Sequence, residues 1–159
     1  MTVGIFPPDI GGPATFVPKI AKYFQDELNY EIEILTLSDN KNLNINDDFS
    51  VKRIDRNLPI IYRWLKTIFT IYKLGKNKDL IFVNGLGTET TIANIFLKKK
   101  IIRKIVGDPV WERAYNKSKI SENFDDFQVR NYGLSISLQK KVRNFSIKKS
   151  DIVITPSQH

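Results

Sequence analysis

The stretch TVGIFPPDIGGPATFVPKIAKYFQDEL, residues 2–28, decides the fold. Thr2 to Phe6 is a short apolar run suited to a strand. Pro7-Pro8-Asp9-Ile10-Gly11-Gly12-Pro13 ends it, because no regular element accommodates that density of proline and glycine. Val17, Ile20, Ala21, Phe24 and Leu28 then recur at helical spacing, so a helix is expected to lay this face on a sheet. Pro18 is expected in the first turn of that helix, where its missing N–H costs little. Strand, glycine turn and amphipathic helix make one βα unit.

The same alternation continues down the chain. Ile32 to Thr36, extended by Leu37, reads as a second strand, and the polar Asn/Asp-rich residues 38–48 as a surface loop. Phe49 to Ile54 alternates like a strand before Pro59. Ile60 to Leu74 is predicted helical, with a wide apolar face of Ile61, Trp64, Leu65, Ile68, Phe69 and Tyr72. Leu80 to Val83 is a buried strand, Thr88 the expected N-cap of a helix to about Leu97, and Ile101 to Val106 another strand. Trp111 to Gly133 reads as irregular. Leu134, Leu138, Val142 and Phe145 mark a basic amphipathic helix, and Asp151 to Ser157 a last strand running into a turn. Strands alternating with helices predict an α/β, Rossmann-like three-layer domain with a mainly parallel sheet, spanning residues 1–159 as a single unit. A chain that closes on a strand and Pro156-Ser157 is expected to lead into a further domain.

Composition narrows the chemistry. The 159 residues can bury roughly 70% of the surface exposed when unfolded. At 42% hydrophobic and 26% charged residues, the balance is that of a globular domain. No cysteine is present, which excludes disulfides, zinc–thiolate sites and thiol catalysis. The single histidine is His159, so neither a His-based triad nor a multi-histidine metal site can be built. The net charge of +8 suits anionic partners, or else a solvated basic surface. Lys98-Lys99-Lys100 and the cations around the late helix, Lys140, Lys141, Arg143, Lys148 and Lys149, accompany no nucleic-acid module, so nucleic acid is not an expected partner. Met1 leads into a strand without a basic leader region, and no apolar run reaches the ~18 residues that span a bilayer. A cytoplasmic protein is expected. Tyr62, Arg63, Trp64, Lys66, Phe69, Tyr72 and Lys73 leave the helix at 60–75 with two readings: a core-facing helix with a charged outer face, or a basic aromatic patch for peripheral membrane contact.

Ligands of open parallel sheets bind beyond the carboxyl ends of the strands. Three loops there are chemically distinctive. Gly11-Gly12 precedes a helix N-terminus, where a bare backbone and free N–H groups favour an anion; a tight turn explains the pair equally. Asn84-Gly85-Leu86-Gly87-Thr88-Glu89 resembles part of a dinucleotide fingerprint, with Asp108 further on. Thr90, however, occupies the third glycine position, and the motif follows a late strand. Gly107-Asp108-Pro109-Val110-Trp111-Glu112-Arg113-Ala114 brings carboxylates, an indole and a guanidinium together. That set suits a polyhydroxylated ligand, or else an Asp-Pro turn with a half-buried Trp.

Phe6-Pro7-Pro8-Asp9-Ile10-Gly11-Gly12, Gly107 to Ala114 and Asp151-Ile152-Val153-Ile154-Thr155-Pro156-Ser157 fall in an order and position that resemble the N-terminal domain of family 4 glycosyltransferases, retaining enzymes of GT-B architecture. The resemblance implies the acceptor-side half of such an enzyme, moving a glycosyl group from a nucleotide-sugar to a lipid-linked, glycan or small-molecule acceptor, as in cell-envelope polysaccharide synthesis. It implies Asp108 and Glu112 as the catalytic pair. Gly11, Gly12, Asn84, Trp111 and Arg113 would line the donor-diphosphate and acceptor cleft. Where many members carry histidine, this chain has Gly107-Asp108, which suits acceptor-hydroxyl positioning. Neither metal nor cofactor is implied beyond the donor, which a C-terminal domain absent from these residues would hold. The chain is therefore expected to be inactive alone, with work at the inner face of the membrane. The alternatives are a stand-alone subunit completed by a separate donor-binding partner, and an NAD-type oxidoreductase domain using Gly85, Gly87 and Asp108.

Overall fold

The computed structural model describes residues 1–39, 48–117 and 120–156, so most of the expected 38–48 loop, Ser157 and His159 lie outside the described residues. Its strands are β1 (Thr2–Val3), β2 (Glu33–Ser38), β3 (Ser50–Asp55), β4 (Leu80–Asn84), β5 (Lys100–Lys104) and β6 (Ile152–Ile154). The helices are α1 (Gly12–Asp26), α2 (Ile60–Gly75), α3 (Gly87–Leu97), α4 (Pro109–Asn116), α5 (Phe124–Val129) and α6 (Leu134–Lys148). The strands form one six-stranded sheet in the order β3-β2-β1-β4-β5-β6. Every pairing is parallel, with Thr2 opposite both Leu35 and Val83.

Parallel pairing demands crossovers, and these place helices on both faces. On one face α1 buries Val17 and Ala21 against Val3, Phe6 and Ile34. On the other, Ile71 of α2 and Ala93 of α3 pack on Leu35 and Ile54. Successive strand residues serve opposite faces, so Ile34 and Leu35 belong to different clusters. The result is a Rossmann-like three-layer α/β fold.

Several expectations need correction. β1 stops at Val3 rather than Phe6, because the chain leaves the ladder at Gly4 and sends Phe6 into the α1 cluster. Pro18 lies inside α1, not in its first turn; Pro13 occupies the first turn, since the helix already starts at Gly12. A mid-helix proline forfeits the bond to the carbonyl four residues back, and burial of the flanking Val17 and Ala21 offsets that loss. The segment from Trp111 to Gly133 is not irregular throughout. It carries most of α4 and all of α5, whose Val110, Ala114 and Phe127 form a separate small core with Ile120.

Ile34 has no exposed surface, whereas Ile152 is 53% exposed. Urea denaturation should therefore show Ile34→Ala losing about 2–5 kcal/mol and Ile152→Ala losing less than about 1 kcal/mol.

Candidate functional site

The chain winds outward from β1 to β3 at one edge, then returns to β4 and winds to β6 at the other. Loops β1–α1 and β4–α3 therefore part at the point where ligands enter sheets of this type. Both loops are glycine-rich, for different reasons.

In the first loop Asp9 N–H donates to the Phe6 carbonyl, making a turn, and Gly11 caps α1. Thr15 returns its hydroxyl to the Gly11 carbonyl at 3.2 Å. A methyl group on Gly12 would meet no heavy atom within 4 Å, so packing does not demand glycine there. The first turn of α1 carries no acidic residue, leaving its N-terminal dipole uncompensated by a local carboxylate. Arginines from the end of β3 and beyond hold this loop. Arg53 donates to the Pro7 carbonyl at 3.0 Å. Arg56 bridges Asp9 at 2.5 Å and Asp39 at 2.6 Å, and Arg63 of α2 donates to the Arg56 carbonyl.

The second loop is accounted for by internal packing. Gly85 has φ +139°, and a methyl group on it would overlap the backbone nitrogen of Gly4. A methyl group on Gly87 would overlap the Arg103 guanidinium. Arg103 is buried and donates to Ser150 Oγ at 2.8 Å, Thr91 Oγ1 at 3.0 Å and the Gly87 carbonyl at 3.3 Å. Burial lowers its pKa. Thr88 is not the N-cap of α3; Leu86 is, in the left-handed region with φ 53° and no side-chain cap. The tight approach of Gly85 to Gly4 starts the helix before Thr88 is reached. Asn84 is buried at the end of β4, opposite Val3. Glu89, half-buried in the first turn of α3, has its carboxyl pushed up by burial, which Arg113 and Arg63 partly oppose.

The third set does not converge as a cluster. Asp108 is buried and caps α4, accepting from Val110 N–H at 2.9 Å. Its other oxygen takes Gln128 Nε2 at 3.0 Å and the guanidinium of Arg143 from α6. The Trp111 indole donates to the Glu122 carbonyl at 3.2 Å, stacks on Tyr115 at 5.2 Å and meets the edge of Phe124. Glu112 and Arg113 are exposed, with Glu112 folded over Gly107 and Arg113 Nε on the Pro109 carbonyl at 2.7 Å. Sequence reasoning left Asp9, Arg53, Arg56, Arg63 and Glu89 out of the site, although all border the carboxyl edge. Arginines following a strand were a visible signal; their pairing with a loop some 47 residues away was not.

Among the described residues no group of three or more His, Cys, Asp and Glu could hold a metal ion, and no helix is long and apolar enough to cross a membrane. A scan against protein-family models and a search of curated proteins both return no match for this chain.

Asp108→Ala removes a helix cap and strands Arg143, so it should cost on the order of 3–5 kcal/mol in denaturant titration. Asp108→Asn keeps the cap and should lose less. Glu89 has a separate pH signature. A carboxyl whose folded pKa exceeds its unfolded value binds more protons when folded, so it subtracts stability as pH rises through that window. The stability of Glu89→Gln relative to the parent protein should therefore grow as pH rises above 4.5. Thermal melts across a pH series check this.

Proposed function

We propose that this chain is the acceptor-side half of a retaining, nucleotide-sugar-dependent glycosyltransferase of GT-B architecture. The carrying observation is the Gly11-Gly12 pair opening α1 at the strand-order reversal of an all-parallel sheet, with open space where a Gly12 side chain would stand. The motif order in the sequence adds to it. N–H groups of an uncompensated helix N-terminus suit the negative charge that develops on a leaving diphosphate. In this reading the backbone at Gly11 and Gly12 approaches the diphosphate, while Asn84 lines the crevice floor. Asp108 acts by fixing α4. The exposed Glu112 and Arg113 on that helix are the groups that meet an acceptor, and Trp111 supports them through Tyr115 and Phe124.

A second domain or subunit would hold the nucleotide, so these residues alone would turn over no donor. The exposed apolar β6 edge favours a covering unit of one kind or the other. The protein would work in the cytoplasm.

Amide NMR with pyrophosphate, a uridine diphosphate sugar and NADH as separate titrants tests the proposal. The first two should shift Gly4, Gly11, Gly12 and Asn84, and Gly12→Val should abolish the shifts while leaving the spectrum folded. Response to NADH alone, centred on Gly85 and Gly87, would replace this reading with a dinucleotide-binding one. No response to pyrophosphate or the diphosphate sugar would remove its main support.

A further inference from the structure

We propose that the outward face of α2, continued by the last turn of α3, is a seat for peripheral binding to an anionic lipid bilayer. The inference rests on the surface itself and does not depend on the glycosyltransferase reading.

A helix packed on a sheet buries one stripe and turns polar groups outward. Helix α2 does the first, but beside its outward lysines it also exposes a row of apolar groups. Its buried stripe is Thr67, Ile71 and Gly75. About a third of a turn around from that stripe, Ile61, Leu65 and Phe69 follow each other at a spacing of one turn and are 72%, 56% and 61% exposed. The expectation that the whole apolar face packs inward is thus corrected: Ile61, Leu65 and Phe69 belong to the surface, beside the exposed Lys66, Lys73 and Lys76. Tyr62 adjoins them, and Phe96 of α3 extends the patch through an edge contact with Tyr72 at 6.4 Å. Ile95 is also exposed.

The cations of this region flank the apolar row. Lys66 lies 5.9 Å from the Tyr62 ring, Lys76 lies 4.7 Å from the Tyr72 ring, and Lys73 is exposed between them. Lys98 and Lys100 follow Phe96 at the end of α3. From Ile60 to Lys76 the sequence contains no Asp or Glu. Aliphatic side chains that reach past a rim of lysines and tyrosines match a bilayer interface, with acyl chains below and anionic headgroups at the rim. Nucleic acid would call for aromatic or polar groups at the centre rather than Ile61 and Leu65. A second copy of the same face would set lysine against lysine.

Sedimentation with vesicles of equal parts phosphatidylglycerol and phosphatidylcholine tests the proposal, alongside vesicles of phosphatidylcholine alone. The protein should bind the anionic vesicles preferentially, and less as salt rises. Lys66→Glu/Lys73→Glu should weaken that binding by at least about tenfold. Leu65→Ser/Phe69→Ser should weaken it comparably while leaving the melting temperature near that of the parent. Lys141→Glu/Lys148→Glu on α6 carries the same charge change outside the patch and should bind nearly as the parent does. No binding at low salt overturns the proposal. So does equal weakening by the α6 pair, which would mean attraction by net charge alone. Two other outcomes overturn it as well: a dimer dispersed by Leu65→Ser/Phe69→Ser, and RNA binding lost in Lys66→Glu/Lys73→Glu without any vesicle binding.

Discussion

Two residues, Thr2 and Val3, join the halves of the sheet. They pair with β2 on one side and β4 on the other, and no other described strand links the two windings. Val3 is wholly buried in the α1 cluster, while the Thr2 hydroxyl accepts from Thr90 at 3.0 Å on the opposite face. So short a strand suffices because Gly85 lies directly on the Gly4 backbone, where any side chain would force the loops apart. The crevice at the strand-order reversal follows from this junction. Its floor is backbone against backbone, and both helix N-termini, α1 and α3, start from it.

Around that floor, arginines rather than packed apolar groups set the geometry. Arg56 and Arg53 fix the first glycine loop from β3, and Arg63 ties α2 to the same point. Arg103 holds the second loop from beneath, through hydroxyl and carbonyl acceptors. Arg143 anchors α4 by clasping Asp108. Each loop at the carboxyl edge is thereby referred to an element distant in sequence, and the net positive charge of the chain is partly spent inside its architecture rather than on partners.

That division explains what the sequence revealed. Strands β2 and β4 were legible because apolar runs of that length are buried on both faces. Strand β5 was found from Ile101 and Ile102 but ends at Lys104 rather than at the expected Val106, which is exposed. The helices α2 and α6 were legible from their periodicity. Helices α4 and α5 were missed, since six to eight residues give periodicity too little room, although Asp108-Pro109 and Asn123 with Asp126 are start signals in their own right. Among the candidate residues, the glycine pair stands at the start of α1 as its spacing predicted, because a glycine loop is a local feature. The reading of Asp108 through Arg113 as one converging set treated neighbours in sequence as neighbours in space. On a helix they fan out: Asp108 turns to Arg143, Trp111 to Tyr115, and Glu112 and Arg113 to solvent.

The two margins of the sheet are unlike. At one, β3 presents Lys52, Arg53 and Asp55, charges that discourage another strand from adding on. At the other, β6 offers Ile152, Val153 and Ile154, uncharged and exposed, with one described strand neighbour. Among the described residues, growth of the sheet is thus discouraged in one direction and unopposed in the other. The described sheet is a template whose receptive end is β6, and a strand added there, from whichever source, would meet apolar side chains rather than charge.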